Sequence, residues 1–193
     1  MFISENLNVN EKGNLTVGGV DTTELAAQYG TPLYVMDEQV IRDACRRFKG
    51  SIDRYYGGQG MVCYASKAFS CMEMCRVIDS EGIGLDVVSA GELYTALKAG
   101  FDASKIGFHG NNKTDDELRY AVESGVGHII VDNISELLRL ERIAKEKNVR
   151  PHIMFRIKPG IDAHTHDFVK TGQIDSKFGF ALPERILPKL PLP

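Results

Sequence analysis

Apolar positions recur along this chain in short runs separated by longer stretches of mixed character. The runs are residues 33–36 (LYVM), 61–65 (MVCYA), 84–88 (GLDVV), 106–109 (IGFH), 128–131 (HIIV) and 152–157 (HIMFRI). They start about 22 to 28 residues apart, the length of one strand followed by one helix. Their nearly continuous apolar character suits parallel strands covered on both faces. Between the runs, helix starts carry a hydroxyl or amide cap followed three residues later by a glutamate. The pairs are Ser70 and Glu73, Ser89 and Glu92, Thr114 and Glu117, and Asn133 and Glu136. Gly82, Gly100 and Gly125 stand where helices would stop. Residues 134–147 place Ile134, Leu137, Leu138, Ile143 and Ala144 at helical spacing on an otherwise charged stretch.

The first 30 residues do not follow this repeat. Residues 14–20 (NLTVGGV) predict a short strand with a Gly-Gly turn. Residues 21–29 predict a short helix with Asp21 or Thr22 as cap and Gly30 as stop. Beyond them, about six β-α units imply an α/β fold with a parallel sheet. Two architectures satisfy that pattern: an open doubly wound sheet, and a (β/α)8 barrel of the TIM type, which needs eight strands. The last twelve residues hold four of the seven prolines, and Pro188, Pro191 and Pro193 would interrupt a strand or helix there. The pattern therefore predicts either an open sheet or a barrel that stops partway round. It divides the chain into residues 1–30, 31–181 and a proline-rich tail, 182–193.

Composition narrows the function classes. The chain has 193 residues, 43% hydrophobic and 25% charged, as expected of a globular protein with a sizeable core. Lysine and arginine total 23 against 26 aspartates and glutamates, and a net charge of −3 gives no reason to expect nucleic acid or an anionic membrane as partner. No apolar run has the length of a membrane span, and the N-terminus lacks the basic and apolar blocks of a secretory signal, so the expected location is cytoplasmic. Cys45, Cys63, Cys71 and Cys75 form no Cys-x-x-Cys pair and are expected to be reduced, mostly buried thiols, with Cys71 and Cys75 on one side of a helix.

Chemistry in an α/β barrel sits at the C-terminal ends of the strands. Lys67, in YASKA (64–68), follows the second run with small and apolar neighbours. A lysine buried there has a lowered pKa and is a candidate imine-forming nucleophile; a lysine whose head reaches solvent is the alternative. Asp86 lies inside an apolar run and needs a partner, either as a structural ion pair with Arg156 or as a catalytic group. His109 ends the fourth run and is compatible with packing or catalysis. His164-Thr165-His166 lacks a third ligand in sequence and reads as a solvated loop rather than a metal site. Residues 57–60 (GGQG) precede a strand and read as a turn, not as a phosphate-binding loop.

Seven stretches in order resemble one family across nearly the whole chain: GGVDTTELAAQYGTPLYVMDE (18–38), YASKA (64–68), GLDVVSAGELYTALKAGF (84–101), IGFHGNNKTDDEL (106–118), IIVDNISEL (129–137), RIKPGIDAHTH (156–166) and TGQIDSKFGF (171–180). They resemble the diaminopimelate decarboxylases, pyridoxal-phosphate enzymes built on an alanine-racemase-like barrel. The resemblance implies a pyridoxal-phosphate-binding (β/α)8 barrel, incomplete here, with residues 1–30 joining a β-domain. It implies that Lys67 holds pyridoxal 5'-phosphate through an imine and that Asp86, His109, Arg156 and Ser176 line the cofactor site. It implies decarboxylation of meso-diaminopimelate to L-lysine and carbon dioxide in lysine biosynthesis, by a homodimer acting on a small amino acid. A related decarboxylase of another basic amino acid or of a carboxylated polyamine is the alternative. The chain has about half the family's length, so by itself it is expected to be a truncated, non-catalytic portion.

Overall fold

The computed structural model describes residues 4–159 and 177–181. It falls into two compact units, Met1–Val62 and Cys63–Pro193. In the first, β1 (Leu7–Val9), β2 (Leu15–Val17) and β3 (Val20–Asp21) form an antiparallel sheet in that order. Gly18 and Gly19 make the β2–β3 turn with φ of 57° and 82°, a region that L side chains rarely adopt. Asp21 then caps α1 (Thr22–Tyr29) by accepting the Thr23 N–H, and Gly30 ends it, as the pattern predicts. The unit extends beyond residue 30 to include α2 (Glu38–Tyr56), which Asp37 caps and Gly57 closes in the left-handed conformation. The GGQG segment is the turn expected.

Residues 33–36 do not form the strand that their apolar character predicts. No strand is hydrogen-bonded to them among the described residues, and Tyr34 is 95% exposed. A strand exists only through its ladder, so an apolar run without a neighbour stays irregular.

The second unit is built on a parallel sheet of β4 (Cys63–Ala65), β5 (Gly84–Val87), β6 (Ile106–Phe108), β7 (His128–Val131) and β8 (Ile153–Phe155). Between the strands run α3 (Met72–Ser80), α4 (Ala90–Ala99), α5 (Asp115–Glu123) and α6 (Ile134–Lys147). The spatial order β4-β5-β6-β7-β8 equals the chain order. Right-handed crossovers that always step the same way put every helix on one face, whereas a doubly wound sheet must reverse direction. The neighbour contacts agree: α3 packs on α4, α4 on α5, and α5 on α6. The architecture is therefore part of a barrel, and the doubly wound alternative is excluded. A short parallel pair, β9 (Ile157–Lys158) with β10 (Phe180–Ala181), follows.

Leu85, Val87, Ile106, Phe108, Ile129 and Val131 alternate toward the helices and are essentially inaccessible to solvent. The opposite face is mixed. Ile130 is buried, Asp86 is half-buried, and Met154, paired with Ile130, is 49% exposed. Burial on both faces, expected from the apolar runs, is thus complete only on the helix side of β5, β6 and β7 among the described residues.

Three of the four capped starts stand where the pattern puts them, at Ser89, Thr114 and Asn133. The fourth shifts by one residue: the Cys71 sulfur, not Ser70, accepts the Met74 N–H and caps α3. Cys71 therefore lies outside the helix that holds Cys75, and of the four cysteines only Cys75 is buried.

Leu118 and Leu138 separate core from surface. Leu118→Ala is expected to destabilise the chain by about 2–5 kcal/mol, because it empties a fully buried site on α5. Leu138→Ala, on the exposed face of α6, is expected to stay within about 0.5 kcal/mol. Urea unfolding midpoints of the two variants check the ranking.

Candidate active site

The C-terminal ends of the parallel strands meet around a cavity of about 480 Å³ lined by Ala65, Lys67, Asp86, Val88, His109, Gly110, Asn111, Arg156 and Phe178. Four of the five residues singled out in the sequence, Lys67, Asp86, His109 and Arg156, thus share one cavity. The fifth, Ser176, lies outside the described residues, as does His164-Thr165-His166. A larger groove of about 720 Å³ runs on the helix side between α6 and the segment entering β8, lined by Leu137, Leu140, Ala144, Val149 and Ile153 among others. It gathers none of the strand-end residues, and the Lys145 amine at its rim is paired with Glu141.

The register explains the gathering. Ala65, Asp86 and Gly107 are successive partners across β4, β5 and β6, so they share one face of the sheet. His109, two residues beyond Gly107, points the same way, and its Nε2 lies 3.4 Å from Asp86 Oδ1. Gly107 leaves room beneath this pair: a Cβ there would stand 2.8 Å from Asp86 Oδ1 and would push that carboxylate aside.

Arg156 is not the partner of Asp86. Asp86 stands at the end of β5, beside β6, while Arg156 follows β8 and reaches the adjacent β7, where its Nη1 lies 3.5 Å from Asp132 Oδ1. Its guanidinium carbon lies 4.3 Å from the centroid of the Phe178 ring, a cation–π contact. Asp132 is 3% exposed, and its Oδ2 accepts the Gly179 N–H at 3.0 Å. Gly179 has a φ of 68°, and a Cβ there would meet the Arg156 carbonyl oxygen at 2.6 Å. Phe180 N donates to the same carbonyl at 2.7 Å. Asp132 therefore anchors both the guanidinium and the segment that carries Phe178.

Lys67 sits in a single 3-10 turn, Ser66–Ala68, directly after β4. Its side chain is exposed rather than enclosed by small apolar neighbours, because no described strand faces it across the open side of the sheet. Ser66 beside it is buried, and its hydroxyl donates to Glu92 Oε2 at 2.6 Å.

Beneath the loops lies a buried ion pair. Lys113 Nζ is 2.8 Å from Glu136 Oε1, with side-chain exposures of 1% and 0%. Lys113 also donates to the Gly110 and Ile130 carbonyls at 2.7 and 2.8 Å. Burial pushes the Lys113 amine below the usual lysine range, and the Glu136 carboxylate opposes that shift.

Cys63 was not legible as part of the site, although it lies two residues before Ala65 and so faces the same way. Burial and the Asp86 carboxylate, which accepts its S–H, push its thiol up to about 11. Phe178, two residues after Ser176 in the SKFGF stretch, was also missed. Its place in the cavity lining and under the Arg156 guanidinium identifies it.

A lysine amine, a carboxylate–imidazole pair and a guanidinium held by Asp132 are thus gathered at the C-terminal ends of the barrel strands, a set of groups that can meet carbonyl and anionic substituents. Residues 38–189 match the pyridoxal-dependent decarboxylases in their pyridoxal binding domain, and the chain belongs to that family. It is similar to the diaminopimelate decarboxylases of Bacillus methanolicus, at 55% identity over 94% of this chain and 42% of the relative, and of Bacillus subtilis, at 50% identity over 94% and 41%. The crystal structure of diaminopimelate decarboxylase from M. jannaschii in complex with L-lysine matches with a TM-score of 0.85 at 34% identity, over 94% of this chain and 42% of that one. The chain thus spans about two fifths of the length of these relatives.

The Cys63–Asp86 contact has a chemical readout. Cys63 is expected to react slowly with iodoacetamide at pH 8, since a thiol titrating near 11 is almost wholly protonated there. Asp86→Asn removes the negative neighbour, favours the thiolate and is expected to speed alkylation of Cys63 severalfold. Peptide-level mass spectrometry of the alkylated chain checks it.

Proposed function

We propose that this chain carries the lysine-bearing part of a pyridoxal-phosphate-dependent decarboxylase that converts meso-diaminopimelate to L-lysine and carbon dioxide, within lysine biosynthesis. The carrying observation is the convergence of Lys67, Asp86, His109 and Arg156 on one cavity at the strand ends. These residues suit a group with an aldehyde and anionic substituents. Lys67 offers an amine and Arg156 a fixed positive charge. Residues 1–30 are assigned to a β-domain, residues 31–181 to the partial barrel, and residues 182–193 to a tail outside the described residues. A homodimer in the cytoplasm is the setting this family reading implies. Among the described residues no helix is long and apolar enough to cross a membrane.

Each residue then has a role set by its surroundings. Pyridoxal phosphate, when bound, supplies an electron sink for the pair left behind as the α-carboxylate departs. Lys67 is the residue that would hold it, being the amine nearest the end of β4. Arg156, restrained by Asp132 and stacked on Phe178, presents its charge to a carboxylate or phosphate with little freedom left to lose. Asp86 fixes His109 through Nε2, which leaves Nδ1 as the ring's other proton site. Ser176 keeps its assigned place at the cofactor on the strength of the SKFG motif. Diaminopimelate is favoured over other basic amino acids by the level of identity to the Bacillus enzymes.

Borohydride reduction after incubation with pyridoxal phosphate tests the assignment. The pyridoxyl label is expected mainly on Lys67, with the remainder spread thinly, and it should vanish from that peptide in Lys67→Ala. Label scattered evenly over surface lysines would overturn the reading. Because Lys67 is exposed and its cavity is open, the 193-residue chain alone is expected to release negligible lysine from meso-diaminopimelate. An amino-acid assay of the reaction mixture measures that.

A further inference from the structure

The glutamate at the third position of α4 is bound to more than its own helix. In an ordinary capping box that side chain turns back to the backbone N–H of the capping residue. Glu117 does so on α5, where its Oε2 accepts the Thr114 N–H. Glu92 does not turn back to Ser89. Its Oε2 accepts the Val88 N–H at 2.8 Å and the hydroxyl of Ser66 at 2.6 Å. Ser66 belongs to the preceding β-α unit, is 1% exposed and immediately precedes Lys67.

The same reach recurs one unit further on each time. Glu117 Oε1 accepts the Ala90 N–H at the start of α4, and Glu136 Oε1 takes Lys113 from the loop before α5. The register that carries these links around the sheet begins at Lys67. The turn Ser66–Ala68 has no side-chain cap at its start, so the Glu92–Ser66 bond tethers its first residue, while the Tyr64 hydroxyl donates to the Phe69 carbonyl at its other end.

We infer that Glu92 is a positioning residue for Lys67: through the buried Ser66 hydroxyl it holds the 3-10 turn in the one placement that aims the Lys67 amine into the strand-end cavity. This rests on the reading of Lys67 as the cofactor lysine. The bond is charge-assisted, with Ser66 buried and Glu92 half-buried, which places it among the stronger side-chain bonds available. Loss of the carboxylate leaves the Ser66 hydroxyl buried without its partner, and the turn is released.

The test uses the 193-residue chain with two independent readouts. One is the share of pyridoxyl label on Lys67 after pyridoxal phosphate and borohydride treatment. The other, made without cofactor, is amide hydrogen exchange at Val88 and across residues 66–68, with amides of β6 and β7 reporting that the sheet is intact. Glu92→Ala is expected to cut the Lys67 share about tenfold and to speed exchange at Val88 and the turn by a similar factor. Glu92→Gln still offers an oxygen acceptor in the same place and is expected to restore both readouts to within about twofold. Ser66→Ala, which leaves the helix cap untouched, is expected to reproduce the loss of label, and adding it to Glu92→Ala should cost little more. Normal labelling and exchange in Glu92→Ala, or a loss that Glu92→Gln shares in full, would overturn the inference. Absence of selective label in the unsubstituted chain would instead overturn the cofactor reading, and the exchange comparison would still decide whether Glu92 holds the turn.

Discussion

The buried pair of Lys113 and Glu136 is the interaction on which the strand-end geometry depends. Two charges with almost no exposure are costly to desolvate, and they persist only where their remaining hydrogen-bonding capacity is met. Lys113 meets its own by donating to Gly110 O after β6 and Ile130 O within β7. Glu136 reaches back to the Asp132 N–H at the end of β7. The pair therefore fixes the loop that follows His109 and, on the other side, the residue that anchors Arg156. Replacing one partner would leave a buried charge uncompensated, at a cost of about 3–5 kcal/mol.

From that pair the site spreads in two directions. Toward β8, Asp132 holds the guanidinium of Arg156 and the Gly179 N–H, and so places Phe178 against the guanidinium. Toward β4, glutamates three residues into α5 and α4 tie each loop to the one before it, ending at the turn of Lys67. The helix starts are thus also the lateral connections of the cavity rim. Local capping chemistry and the alignment of side chains from four strands are the same set of bonds.

The electrostatics divide along burial. The Lys113 amine, deep beneath the loops, is pushed down by desolvation, and the Cys63 thiol is pushed up by burial and by Asp86. Lys67 stands at the exposed lip of the strand-end cavity. Its environment is set by the turn that carries it and by what covers the open face, and the described strands number five of the eight that close a barrel.

The sequence alone determined the elements and the order in which they follow. Five of the six apolar runs became strands, and the helix from Ile134 to Lys147 has the bounds that its spacing predicts, because period and capping are properties of neighbouring residues. It also determined which strand-end residues were candidates, since position after a strand is readable along the chain. Tertiary structure decided what no local pattern contains. Residues 33–36 had the character of a strand but no ladder partner, so they formed none. Arg156 paired with Asp132 rather than Asp86, because adjacency in the sheet, not apolar context, sets which charges meet. The exposure of Lys67, the burial of Lys113 with Glu136 and the reach of Glu92 to Ser66 likewise depend on contacts between units about 25 residues apart. Periodicity is written in the sequence one residue at a time, whereas partnership is decided only when separate strands are brought side by side.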